Sequence, residues 1–250
     1  MFAPSDLTED AFLGGRLRLK QPKFGYRAGI DPVLLASAVP ARPSETVLEL
    51  GIGAAAASLC LAARVEGLRL TGLEVQPDYA ALARENAAAN GIALNVVEGD
   101  VSDLPAEVRA QSFDHVIMNP PYFLREHGTP AVDTGREAAM GEQVELAIWL
   151  EAGARRLKPG GRLTVIQRAE RLPDILAGCS GLGSFEVRPI AARTGRSAHL
   201  VIVTAQKSGR AKFQLRAPLI LHEGPRHEKD GESYRVDIQE VLRNAAELPR

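Results

Sequence analysis

Four consecutive residues, Asn119-Pro120-Pro121-Tyr122, combine oxygen acceptors, a stiff backbone and a flat ring. They follow Phe113-Asp114-His115-Val116-Ile117-Met118, a run that reads as a strand. Proline fixes its own φ and keeps the residue before it out of the helical region, so the chain past the strand end is rigid. The Asn119 side-chain oxygen and the Pro120 carbonyl are both acceptors, and together they can hold the two hydrogens of one –NH2 group. A planar amine held this way turns its nitrogen lone pair toward whatever lies in the adjacent crevice. Tyr122 offers a face on which an aromatic base can stack, and Pro121 lines the same loop. Such an amine needs positioning more than it needs a strong base, and positioning lowers barriers by several kcal/mol, up to about 7–11 in the best cases. As a bare tetrapeptide the motif is also compatible with a rigid turn. Its place directly after a strand is what makes it a candidate site.

A second constellation lies upstream. Glu49-Leu50-Gly51-Ile52-Gly53-Ala54-Ala55 spans a strand-to-helix junction, where Gly51 and Gly53 let backbone approach a ligand that a side chain would repel. Glu74 closes the next strand, placed where a carboxylate can accept hydrogen bonds from ribose hydroxyls. Asp100 follows the third strand in Glu98-Gly99-Asp100. A GxG alone is a weak signal, but three successive strand ends carrying glycine or acid describe a nucleoside crevice. A dinucleotide site is the alternative. Against it, position 56 is Ala where GxGxxG needs glycine, and no GxxxxGK[ST] phosphate loop is present.

The elements that must position these residues alternate regularly. Strands are predicted over Thr46–Leu50, Leu68–Leu73, Leu94–Glu98, Phe113–Met118 and Arg162–Gln167. Helices are predicted over Ala54–Arg64, Pro77–Asn90, Gly141–Leu157 and Glu170–Cys179. This rhythm predicts βαβ units and a parallel sheet covered on both faces. Phe185–Ile190, Ala198–Ala205 and Phe213–Leu221 read instead as an antiparallel finish of three strands. Before the first strand, Arg16–Lys20 alternates basic and apolar as half of a hairpin, and Asp31 can cap a short helix over Pro32–Val39. Near the C-terminus, Glu223–Ser233 is loop-like, while Val236, Ile238, Val241, Leu242 and Ala245 share one helical face. The expected organisation is an N-terminal cap over 1–45, a main domain over 46–222 and a tail over 223–250.

Composition is that of an ordinary globular chain: 250 residues, 45% hydrophobic, 24% charged. The net charge of −1 predicts no general affinity for nucleic acid, so any such binding must be local. Cys60 and Cys179 stand far apart, outside any CxxC, which argues against a disulfide framework or zinc site. His115, His199, His222 and His227 have no metal spacing, and no metal is expected. The polar, acidic N-terminus is no signal peptide and no apolar run is long enough to span a bilayer, so a cytoplasmic protein with no membrane partner is expected.

Glu49-x-Gly51-x-Gly53, Glu74, Asp100 and Asn119-Pro120-Pro121-Tyr122 together resemble class I S-adenosylmethionine-dependent methyltransferases of the amino-methylating branch. Within it the chain is similar to bacterial tRNA(Val) adenine-N6 methyltransferases. That finer likeness rests on Gly25-Tyr26-Arg27-Ala28-Gly29-Ile30-Asp31-Pro32-Val33-Leu34-Leu35 and on Gly195-Arg196-x-Ala198. The resemblance implies an α/β, Rossmann-like, mostly parallel seven-stranded sheet with an antiparallel last strand, and S-adenosylmethionine as methyl donor. It implies cofactor contacts from Tyr26, Arg27, Gly51, Gly53, Glu74, Val75, Asp100, Val101 and Asn119, with Tyr26 to Asp31 closing over the cofactor. Asn119, Pro120 and Tyr122 would act on the target amine. The family's third small glycine is Ala55 here.

Loops of this type serve adenine N6, guanine N2, cytosine N4 and protein glutamine. The glutamine enzymes carry a separate N-terminal helical domain, and only 45 residues precede the first strand here. DNA adenine enzymes usually add a base-recognition domain, and no insertion large enough is visible. The expected partner is therefore tRNA or another structured RNA, its target base turned out of its stack to reach Asn119. Residues 187–217 contain Arg188, Arg193, Arg196, Lys207, Arg210, Lys212 and Arg216 and no acid. With Arg16, Arg18, Lys20, Lys23 and Arg27 they could line one side of the active-site mouth, Arg193 and Arg196 meeting substrate phosphates. Solvated basic loops are the plain alternative, and a cofactor-binding module without catalysis is the non-enzyme one.

Overall fold

The computed structural model describes residues 2–121, 146–224 and 233–249. Tyr122, residues 141–145 of the fourth expected helix, His227 and most of the expected 223–233 loop lie outside the described residues.

The chain opens with an antiparallel hairpin, β1 (Leu7–Phe12) and β2 (Leu17–Pro22), registered from Leu7↔Pro22 to Phe12↔Leu17. The alternation of β2 sends Leu17 and Leu19 inward and leaves Arg18 exposed. Helix α1 (Asp31–Ala38) follows, but Asp31 is its first residue and Ile30 holds the cap position without a side-chain bond. The acid favours that terminus through the helix dipole rather than by capping.

The core then alternates: β3 (Thr46–Leu50), α2 (Ala56–Arg64), β4 (Arg69–Glu74), α3 (Pro77–Ala89), β5 (Leu94–Glu98), α4 (Ala106–Arg109) and β6 (Phe113–Met118). After it come α5 (Leu146–Arg156), β7 (Leu157–Arg168), α6 (Leu172–Gly178), β8 (Leu182–Ala191) and β9 (Ala198–Lys207). The sheet runs β5-β4-β3-β6-β7-β9-β8. The strands β3 to β7 pair in parallel, and β9 is antiparallel to both β7 and β8. Parallel strands are buried on both faces, which is why Val47, Leu48 and Leu50 are all fully buried without alternation. One face packs against the hairpin, α1, α2, α3 and the C-terminal helix α7 (Val236–Asn244); the other packs against α4, α5 and α6.

The expected third antiparallel strand over Phe213–Leu221 does not form. Two short pieces, β10 (Gln214–Leu215) and β11 (Leu219–Ile220), pair in parallel with the outer edge of β8. Pro218 lies between them and has no N–H to donate to a ladder. On α7, Ile238 and Val241 are fully buried, but Val236 is 73% exposed and does not share their face.

From β3 the chain runs outward through β4 to β5, then returns to place β6 on the other side of β3, so the strand order reverses between β3 and β6. In open α/β sheets the ligand crevice lies at such a switch point, beyond the strands' C-terminal ends. The cross-strand pairs Leu50↔Met118, Leu50↔Leu73 and Glu74↔Glu98 put Gly51, Glu74, Asp100 and Asn119 along this one edge.

Candidate active site

The turn after β3 is built from left-handed backbone: Gly51 at φ 68°, Gly53 at φ 54° and Ala55 at φ 69°. A Cβ at Gly51 would sit 2.6 Å from the Trp149 ring of α5, so any side chain there would have to displace the ring as well as adopt a left-handed φ. At Gly53 a Cβ would lie an ordinary 3.6 Å from Tyr26, so it is the φ that favours glycine. Ala55, where the resembling family often has glycine, accepts the left-handed conformation at a cost of about 1–2 kcal/mol.

Two buried carboxylates brace this turn. Glu74 receives the Gly53 N–H at 2.8 Å on Oε2 and the Gln76 N–H at 3.0 Å on Oε1. Glu49 Oε2 accepts from the Ser58 N–H at 2.9 Å and the Ser58 hydroxyl at 2.5 Å. Burial pushes the Glu49 carboxyl up to about 8, the Ser58 bonds opposing that and the Glu74 charge adding to it. Beside Glu74, Val75 is partly exposed, while Val101 is buried beyond β5. Asp100 Oδ1 accepts from Ser102 N and Oγ, both at 2.7 Å, and so is fixed at the third strand end.

Asn119 stands at the end of β6. Its Nδ2 donates to the Tyr26 hydroxyl at 3.3 Å. Its Oδ1 is buried and has no hydrogen-bond partner among the described residues. An unpaired buried amide oxygen costs about 1–3 kcal/mol, so Oδ1 is an open acceptor at this strand end. Tyr26 is 38% exposed overall, but its hydroxyl end is buried, and that burial, with the charges of Glu49 and Asp31, pushes the phenol up and keeps it neutral. Its carbonyl accepts from the Tyr79 hydroxyl at 2.9 Å.

The Pro120 carbonyl is not left to an amine alone. Gln167, fully buried on β7, donates Nε2 to Pro120 O at 3.2 Å and to Pro121 O at 3.4 Å. A carbonyl has two lone pairs, so Gln167 takes one and fixes the direction of the other. Sequence reasoning missed Gln167 and Trp149. The available signal for Gln167 was an amide closing the apolar run Leu163-Thr164-Val165-Ile166.

Several expected contacts point elsewhere. Arg27 turns to the hairpin, bonding Asp10 at 2.6 Å, Thr8 at 2.8 Å and Pro22 O at 2.7 Å. Arg193 holds the tail through the Glu223 and Gly224 carbonyls and the Ser233 hydroxyl. Arg196 is exposed in the β8–β9 turn, at the same edge of the sheet as Asn119. The basic segments do not line one side of the mouth. Lys207 pairs with Leu182 at the opposite end of β8 and bonds Leu157 O at 2.8 Å. Arg18 and Lys20 are neutralised by Glu9 and Glu85. Both cysteines are free and buried, and no group of His, Cys, Asp or Glu among the described residues could hold a metal ion. No helix among them is long and apolar enough to cross a membrane.

This geometry has counterparts. The family model of the methyltransferase small domain matches residues 27–183. A tRNA1(Val) (adenine(37)-N6)-methyltransferase of Porphyromonas gingivalis is 32% identical over 66% of this chain and 68% of its own length. A protein of the same name from Shewanella baltica is 30% identical over 79% and 85%. The crystal structure of a predicted O-methyltransferase from Agrobacterium tumefaciens superposes with a TM-score of 0.69 at 30% identity, covering 88% of this chain and 99% of that one. A 16S rRNA N2 methyltransferase of T. thermophilus, solved with AdoMet and guanosine, shares the fold at a TM-score of 0.57 and 19% identity, over 80% of this chain and 50% of that one. The chain belongs to the methyltransferase small domain family and is an S-adenosylmethionine-dependent methyltransferase.

Proposed function

We propose that this enzyme methylates the exocyclic N6 of an adenine in tRNA, in the cytoplasm where that RNA resides. The observation that carries the reading is the buried, partnerless Oδ1 of Asn119 at the strand edge that also holds the glycine turn and Glu74. The relatives' names supply the substrate class.

The residues present fit the cofactor. Gly51 and Gly53 offer bare backbone, and Glu74 and Asp100 offer carboxylates at adjacent strand ends. In this reading Gly51 and Gly53 take its amino-acid end, Glu74 the ribose, and Val75, Asp100 and Val101 the adenine. When bound, S-adenosylmethionine supplies an electrophilic methyl group. The chain's own part is positional. Asn119 Oδ1 and the remaining lone pair of the Pro120 carbonyl hold the two amine hydrogens. Tyr26 fixes the amide so that oxygen, not nitrogen, faces the amine. Pro121 and Tyr122 take the face of the base. With both hydrogens held, the nitrogen lone pair would face the methyl; as the N–C bond formed, the S–C bond would break with its electron pair left on sulfur, and the surplus amine proton would pass to water, so positioning rather than a strong base is required. In this reading Arg196, exposed in the β8–β9 turn, meets a phosphate at the rim, whereas Arg193 serves the tail.

The test is methyl transfer from labelled donor to bulk tRNA lacking its own modifications, followed by nucleoside mass analysis. N6-methyladenosine is the expected product. N2-methylguanosine would move the assignment to another amine, and no methylated nucleoside would contradict it.

A further inference from the structure

The outer edge of the sheet carries a second concentration of basic side chains, set around an exposed aromatic and away from the strand ends that form the crevice. Residues 211–218 are all exposed. Among them Phe213 is 53% and Leu215 65% exposed, Leu215 in β10 and Phe213 just before it. Arg210, Lys212 and Arg216 flank them, and Arg188 lies on the neighbouring β8. No acid occurs between Val187 and Ala217. Glu186 on β8 pairs with Arg216 at 2.8 Å, while Arg210 and Lys212 have no ion-pair partner among the described residues. Neither apolar side chain contributes to the core.

Strand register ties this edge to the active site. Met118, the residue before Asn119, lies in one cross-strand row with Val165, Val203, Val187 and Leu215. Four strand spacings at about 4.8 Å put Leu215 roughly 19 Å from Met118 along the sheet. One exposed aromatic between cations matches what single-stranded nucleic acid requires: a ring to stack on a base, and charges to meet the phosphates on either side.

We propose that Arg210, Lys212, Phe213 and Arg216 form a docking ledge for single-stranded nucleotides of the RNA substrate, several positions from the target base. This inference rests on the RNA reading above. It explains how a chain of net charge −1 holds RNA: the charge is concentrated at a ledge and is not spread over the surface.

The test uses the full chain with bulk unmodified tRNA. The double variant Arg210→Ala/Lys212→Ala is expected to lower the slope of log affinity against log salt by about two, one for each lost phosphate contact. Phe213→Ala is expected to raise KM for tRNA about tenfold, and Phe213→Trp to restore it. In all three variants kcat at saturating RNA and S-adenosylmethionine affinity stay within twofold of wild type. Unchanged KM and salt slope in variants of an active enzyme would overturn the ledge while leaving the methylation reading intact. Loss of self-association in the variants, with KM unchanged, would show the edge to be a protein contact and overturn it likewise. A wild type that transfers no methyl to tRNA would overturn the RNA reading and the ledge with it.

Discussion

At the scale of single residues, hydrogen bonds set which atom faces the crevice. Gln167 anchors the Pro120 carbonyl from a neighbouring strand, so Gln167→Ala should free that carbonyl without touching cofactor contacts. One hydrogen bond of about 1–1.5 kcal/mol converts to roughly a tenfold fall in kcat, with S-adenosylmethionine affinity unchanged by equilibrium binding. Glu49 yields a pH prediction. Its carboxyl rises from 4.5 in the unfolded chain to about 8 in the fold, so the folded state binds the proton more tightly. The resulting stability is fully present below pH 4.5 and is lost as pH rises through about 8. Glu49→Gln keeps an acceptor for Ser58 and removes the titration. Its melting temperature should therefore decline less than wild type's across that window, and parallel pH profiles would contradict this. Little of this scale was legible beforehand. Residue types flagged Asn119, Glu74 and the glycines, but Arg27 and Arg193 bond the nearest acceptors their long side chains reach, which charge spacing does not reveal.

At the scale of elements, the glycine turn and α5 depend on one another. Gly51→Ala adds a methyl against the Trp149 ring and places a side chain at φ 68°. The left-handed cost is about 1–2 kcal/mol, and overpacking adds about 1–3. The Gly51→Ala melt should fall accordingly, and Trp149→Leu should recover the steric part alone; additive losses in the double variant would contradict the contact. Elements were the most readable level. Short segments rich in valine, isoleucine and leucine located β5 and β6 to the residue, and Gly and Pro punctuation located the helices, because both signals are local. The finish of the sheet was not readable that way. Phe213–Leu221 has strand composition, but Pro218 breaks it, and its parallel pairing with β8 depends on a partner distant in sequence. Gln167 was missed for the same reason, since its contact exists only once β6 and β7 lie side by side.

At the scale of the molecule, the two ends of the chain close one face of the sheet together. Arg16 bonds Asn244 O at 3.0 Å, Leu248 N–H bonds Ser37 O at 3.1 Å, and Ile238 and Val241 are fully buried against that face. Ile238→Ala should cost about 2–5 kcal/mol in a denaturant titration, as a core truncation does, although it is far from the chemistry. A loss below 1 kcal/mol would show α7 to be peripheral. This frame holds β3, β4, β5 and β6 in register and so brings the glycine turn, Glu74, Asp100 and Asn119 to one edge. The most direct test of that arrangement is single-turnover methylation of unmodified tRNA by Asn119→Ala with S-adenosylmethionine bound. The expected rate is at least about a hundredfold below wild type, with cofactor affinity within a few fold. A variant that methylates as fast as wild type would contradict it.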